Sequence, residues 1–383
     1  MVITGKYFNK ECRGHYIKLT NDSGIHRDQK YYEGLNILNE EFDNNIGVYK
    51  GGLFFCNIYD SPSWTFNLLG DMKYIWDVEV PDDAQVVVMN EQIKADKIIL
   101  KNRRLIWSDK VFCELVVKHN CFMLQYVNYK DSDYQELCKI AVQERGIVLK
   151  HIEKQYHTKE ICEMAVLQDG LSLQFINNEY NIEKIRQIAV QQNGLALQYI
   201  PVDEQTFNIC LSSILQNGLA LQFVNRQTSE LCLHAVQQNG LALKFVNNKY
   251  KTYQLYLLAV QIDGYSLQFI ENLEQTTELC RLAILKNPIS IKYVKTQTPE
   301  LCELAVKKNG YALDNIHEQT MELCKLAVQQ NGYALNCVRN QTPYICELAL
   351  RQNGLALSYV KNQTHRLCEI AVQQNKMAMC YIK

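Results

Sequence analysis

The sequence predicts an α+β N-terminal domain, residues 1–108, followed by an all-α solenoid of about twelve short helix hairpins, residues 109–383. Three observations predict it. A helix-stop position recurs at Cys121, Gly146, Gly170, Gly194, Gly218, Gly240, Gly264, Pro288, Gly310, Gly332, Gly354 and Lys376. A threonine recurs ahead of each apolar stretch, at Thr158, Thr206, Thr228, Thr252, Thr276, Thr298, Thr320, Thr342 and Thr364, with Asp109 in the same place in the first unit. Strand-like runs and all three tryptophans lie in front of that array. Repetition at a fixed period of this length is the mark of stacked supersecondary units.

Each unit reads as a helix pair. In Thr298–Ile316 the threonine hydroxyl can accept from a free backbone N–H, proline suits the first helical position, and Glu300 suits the positive end of the helix dipole. Leu301, Cys302, Ala305 and Val306 make one apolar face at helical spacing. Asn309-Gly310 ends the helix, which we attribute to glycine entering the left-handed region. Tyr311, Leu313 and Ile316 form a second, shorter apolar stripe, read as a short helix folding back. The step between stops is 24 or 25 residues early, 22 at Gly240, and 22 from Pro288 onward, so two linker residues are lost per late unit. Tyr134 and Ile182 depart from the cap pattern.

In the front domain, strands are expected at His15–Leu19, Gly52–Cys56, Tyr74–Val80, Gln85–Met89 and Lys97–Leu100, mostly antiparallel, with a short helix at Ser61–Leu69. Trp64, Trp76 and Trp107 are read as core anchors. No flexible linker follows Trp107, so the domain is expected to cover the open face of the first repeat.

Composition narrows function. Formal net charge is −1, whereas nucleic-acid binders carry a basic excess. The start shows no signal-peptide pattern, and no apolar run reaches membrane-spanning length. Ten of the fifteen cysteines share one register position in the first helix of their units, from Cys113 to Cys368. Arg186 and Tyr256 replace it in two units, so the position reads as apolar filler in a reducing compartment rather than as disulfide or metal chemistry. We expect no cofactor and no metal.

Two polar rows run along the array. One follows the second-stripe leucine and includes Gln174, Gln198, Gln222, Lys244, Gln268 and Lys292; it is the candidate partner-binding row, able to clamp an extended peptide backbone or simply be solvated. The other closes the first helix at Gln191-Gln192, Gln237-Gln238, Gln329-Gln330 and Gln373-Gln374 and carries the same two readings. No phosphate loop, HExxH, CxxC or GxSxG motif is present, and we expect no catalytic residue. In the front domain, Cys12-Arg13-Gly14-His15 and Gly51-Gly52-Leu53-Phe54-Phe55 loosely resemble the Arg-Gly and Gly-x-Tyr-Phe stretches of ADP-ribosyltransferase-like folds. That resemblance would assign a catalytic glutamate to Glu79 or Glu91, although Phe54 stands where the tyrosine belongs.

The array motif, as in residues 326–335, Leu-Ala-Val-Gln-Gln-Asn-Gly-Tyr-Ala-Leu, resembles a repeat of unknown function abundant in mimiviruses, the giant viruses of amoebae. The segments at Tyr32–Ile37, Gly51–Phe55 and Lys94–Leu100 resemble the N-terminal domain that such viruses place before ankyrin-type repeats. The resemblance implies a protein of the infected host cytoplasm or virion, not secreted, from a family of host-interaction adaptors. The expected function is a non-enzymatic scaffold that meets a protein partner. The alternatives are an RNA-binding helical repeat and a transferase-like front domain.

Overall fold

In a computed structural model the described residues are 2–26, 29–45, 51–60, 72–89, 92–128, 130, 132–177 and 179–383. The chain divides into two compact units, Met1–Ile188 and Ala189–Lys383. The first holds a sheet and the opening repeats; the second holds repeats alone. The helix expected at Ser61–Leu69, with Trp64, lies outside the described residues.

Eight strands form one sheet: β1 (Val2–Thr4), β2 (Tyr16–Thr20), β5 (Gly34–Ile37), β6 (Leu53–Asn57), β7 (Tyr74–Glu79), β8 (Gln85–Val88), β9 (Ile93–Ala95) and β10 (Lys97–Leu105), in the order β1-β8-β9-β6-β2-β7-β10-β5. Every pairing is antiparallel. A two-stranded ribbon, β3 (Ile25–His26) and β4 (Gln29–Lys30), stands apart from the sheet. All five expected strands are present. β1, β5, β9, the ribbon and the helix Gly5–Glu11 were not anticipated, because each is too short for alternation to register.

Alternation along the strands feeds two cores. Trp76 and Val78 join Phe8, Phe55 and Leu100 in one, while Ile75 joins Ile17, Leu19 and Ile58 in the other. Phe112 and Val116, on the helix Lys110–His119, belong to the second core. The sheet therefore covers the first repeat, as expected. Arg104 fixes the junction: it bonds Asp77 of β7 at 2.9 Å and Asp109 at 2.5 Å, while Asp109 caps the helix by accepting from the Phe112 N–H at 2.7 Å. Burial alone would raise the Asp77 carboxyl; hydrogen bonds from Asn102, His15 and Arg104 hold it below its ordinary value.

Each repeat is an α-helix followed directly by a six-residue 3-10 helix, as in Pro299–Lys308 and Gly310–Asn315. The second stripe is thus a helix tighter than an α-helix, which suits its length. The nine cap threonines all accept from the N–H three residues on. The residue before the glycine serves both helices. Asn309 ends the first helix in an extended conformation (φ −151°), and its side chain accepts from the Tyr311 N–H, so it also starts the second.

The left-handed reading of the repeat glycines is corrected. Positive φ occurs among glycines only at Gly24, Gly34 and Gly51 in the described residues. At Gly310 the constraint is space: a Cβ there would sit 2.7 Å from the Ala327 carbonyl oxygen of the following repeat. The N–H that the bare glycine exposes donates to Gln330 Oε1 at 2.9 Å. The same bond joins Gly146 to Gln168, Gly194 to Gln216, Gly218 to Gln238, Gly332 to Gln352 and Gly354 to Gln374. In the glutamine row that closes the first helix, Gln238, Gln330 and Gln374 are therefore not merely solvated but fasten one repeat to the one before. Along Ala189–Lys383 the row breaks at Ile262, Lys286 and Lys308, and only at Lys308 is the partner position, Pro288, without an N–H to offer.

A second glutamine, just before the cap threonine, spans the other side of the boundary. Gln319 donates to Leu313 O and Cys337 O, both at 2.9 Å, and accepts from the Arg339 N–H at 3.0 Å. Gln297, Gln341 and Gln363 repeat the pattern. The longer units carry an extra turn of 3-10 helix in the linker, at Lys154–Tyr156, Val202–Glu204, Asn248–Tyr250 and Asn272–Glu274. That turn accounts for the two residues missing beyond Pro288.

Candidate interaction surface

The predicted row falls on the 3-10 helices, and all six members are exposed: Gln174 in the first unit, and Gln198, Gln222, Lys244, Gln268 and Lys292 in the second. The geometry follows from the short helix. Positions two and three after the glycine turn inward, as Ala220 and Leu221 do with no exposure, so position four must turn out. Gln174, Gln198, Gln222 and Gln268 each donate one amide N–H to the carbonyl three residues back, at 2.9–3.0 Å. Among the described residues these four amides make no other hydrogen bond. Lys244 and Lys292 lie over aromatic rings instead: Lys292 Nζ is 5.2 Å from the Tyr265 ring centre and 4.6 Å from that of Tyr293.

The next residue along is a half-buried aromatic: Tyr199, Phe223, Phe245, Phe269 and Tyr293. Ring edges meet ring faces between successive repeats, as Tyr265 with Tyr293 and Tyr333 with Tyr359, both at 6.0 Å. This aromatic strand of the surface was missed from sequence. The signal was present, since an aromatic follows the polar residue in repeat after repeat, but it reads as core until the turn-out of the 3-10 helix is known.

The cysteine column lies inside. Cys232 is buried with Sγ 3.6 Å from Gln227 Oε1, and burial pushes its thiol up to about 11. Cys162 is pushed up to about 12 for the same reason. All fifteen cysteines are free thiols, and among the described residues no cluster of His, Cys, Asp or Glu is placed to hold a metal. In the front domain Arg13 is exposed, and Glu79 pairs with Lys101 at 2.7 Å. Glu91 lies outside the described residues. Among these residues no helix is long and apolar enough to cross a membrane.

No curated protein and no solved structure matches the chain. A family profile described as a domain of unknown function (DUF4116) matches residues 158–204 and again 206–251. Each match opens on a cap threonine, Thr158 or Thr206, and runs through two repeats, so the chain is similar to this family over stretches whose module is a pair of the units described above.

Proposed function

We propose that the protein is a non-enzymatic repeat scaffold whose 3-10 helix face binds a protein partner. One observation carries the reading. Along Ala189–Lys383, exposed amides and lysines at Gln198, Gln222, Lys244, Gln268 and Lys292 alternate with half-buried aromatics. Aromatic anchors beside adaptable polar groups are the composition of protein interfaces. The amides of Gln198, Gln222 and Gln268 bond only within their own 3-10 helix, which leaves the rest of each amide available to a partner. We also place the protein in the infected host cell cytoplasm or the virion, on the likeness of its repeats to those of giant amoebal viruses.

The test is affinity capture from infected amoebae with two baits. One is the wild-type chain; the other carries Gln198→Glu, Gln222→Glu, Lys244→Glu, Gln268→Glu and Lys292→Glu. A stoichiometric protein held by the first and lost by the second is the expected result. A folded wild-type bait that holds nothing, or a partner held equally by both, overturns the reading.

A further inference from the structure

We propose that a groove between the helices Pro299–Lys308 and Met321–Gln330 takes a basic segment of a partner protein, with an arginine or lysine seated beside an apolar residue. This rests on the scaffold reading and names the partner's chemistry at a second place, away from the 3-10 row.

The groove has a volume of about 560 Å3, within the range of roughly 300–1,000 Å3 in which ligand pockets fall. Its floor is apolar: Cys302, Ile316 and Leu323, all buried, with Leu326 beside them. Its charged lining is acidic, from Glu303, Glu318 and Glu322, with no lysine or arginine among the lining residues. An arginine or lysine side chain suits that pairing, since its methylene stem can lie on the floor while its cation reaches the rim.

The combination of three acids is particular to this groove, although Glu303 has acidic counterparts at Glu163, Glu347 and Glu369, and Glu322 at Glu278 and Glu300. One repeat earlier the place of Glu303 is taken by Arg281, and one repeat later by Lys325. His317 is matched by Lys295 and Arg339, and Glu318 by Thr296 and Asn340. The grooves on either side therefore carry Arg281 or Lys325 and no acid at the place of Glu318, so that only this one brings three carboxylates together. Neighbouring cations are engaged but displaceable, or directed elsewhere. Lys307 pairs with Glu303 at 2.5 Å and Lys325 with Glu322 at 3.5 Å, each pair within one helix and with at least one exposed partner, so that a competing cation can exchange them. Arg339 points its guanidinium at the Ile316 and His317 carbonyls, at 2.9 and 2.8 Å. Glu318 forms no ion pair among the described residues.

The experiment is fluorescence anisotropy with the full chain and a fluorescein-labelled peptide alternating leucine and arginine. The comparison peptide carries citrulline, which keeps the shape and removes the charge. The arginine peptide is expected to bind at least tenfold more tightly than the citrulline peptide, and to weaken with added salt. The triple variant Glu303→Gln, Glu318→Gln, Glu322→Gln should lose that tenfold, as should Leu326→Arg, which places a cation in the groove. Circular dichroism melting of each variant confirms the fold. No binding of the arginine peptide, equal binding of the two peptides, or binding that survives the triple substitution overturns the inference. So does a concentration-dependent dimer, seen by sedimentation and lost in the triple variant, because the occupant is then a second copy. The five-residue variant of the 3-10 row should bind the peptide normally, so this inference and the scaffold reading fail independently.

Discussion

The Cα of Gly310 lies so close to the following repeat that a Cβ on it would stand 2.7 Å from the Ala327 carbonyl oxygen. This contact separates two explanations of the repeat glycine. Gly310→Ala should cost about 1–3 kcal/mol through overpacking. Gly310→Asn should cost at least as much, whereas a left-handed glycine would tolerate asparagine better than alanine. Chemical denaturation of the two variants decides between them.

Gln319 holds three backbone groups, two of them in the next repeat. Replacing it strands the Cys337 carbonyl and the Arg339 N–H at a partly buried boundary, while the Leu313 carbonyl keeps the Ile316 N–H. Gln319→Ala should therefore destabilise by about 1–3 kcal/mol, the cost of leaving such groups unpaired. The exposed Gln329 offers the control; Gln329→Ala should stay within about 0.5 kcal/mol of wild type. Equal effects in urea titrations would dismiss the linker clamp.

His157 occupies the place that glutamine holds elsewhere, one residue before a cap threonine. It is buried, and its Nε2 lies 3.1 Å from Ile152 O. Burial lowers its pKa from the ordinary histidine value. A lowered folded value means that the unfolded chain takes up the proton first as pH falls. Stability is then full above the unfolded pKa, about 6.5, and declines as pH drops through the folded value. His157→Gln keeps the donor and removes the titration. Its stability relative to wild type should rise between pH 7 and pH 5, read from melting temperatures.

Cysteine reactivity should split sharply. Cys380 is exposed, whereas Cys113, Cys138, Cys162, Cys210 and Cys232 are buried thiols pushed up to about 11 or 12. The thiolate is the reactive form. A brief iodoacetamide pulse at neutral pH should label Cys380 first, and Cys380→Ser should remove the fast phase in intact-mass spectra. Prompt labelling of Cys232 would contradict the packed interior.

Much of the array was legible in the sequence because its signals are local. Thr320 caps a helix whose first free N–H groups lie within three residues, so cap, period and helix length are written in adjacent positions. The cysteine column declared itself by sharing a face with leucine and alanine. The predicted row of exposed side chains was legible too, because Gln222 follows two inward residues.

The sequence alone thus determined the phase of the repeat, the helix starts, the inward faces and the strand-rich front, all set by neighbours a few residues apart. The tertiary structure decided why the glycines and glutamines are there. Gln330 answers Gly310 from 20 residues away, and Gln319 answers Arg339 across the same distance. It also decided the order of the sheet, the hold of Arg104 on Asp77 and Asp109, and the emergence of Phe223 and Tyr293 at the surface. A hydrogen bond or a steric limit between successive repeats leaves no mark in local periodicity, because the atom that imposes it belongs to the next turn of the stack.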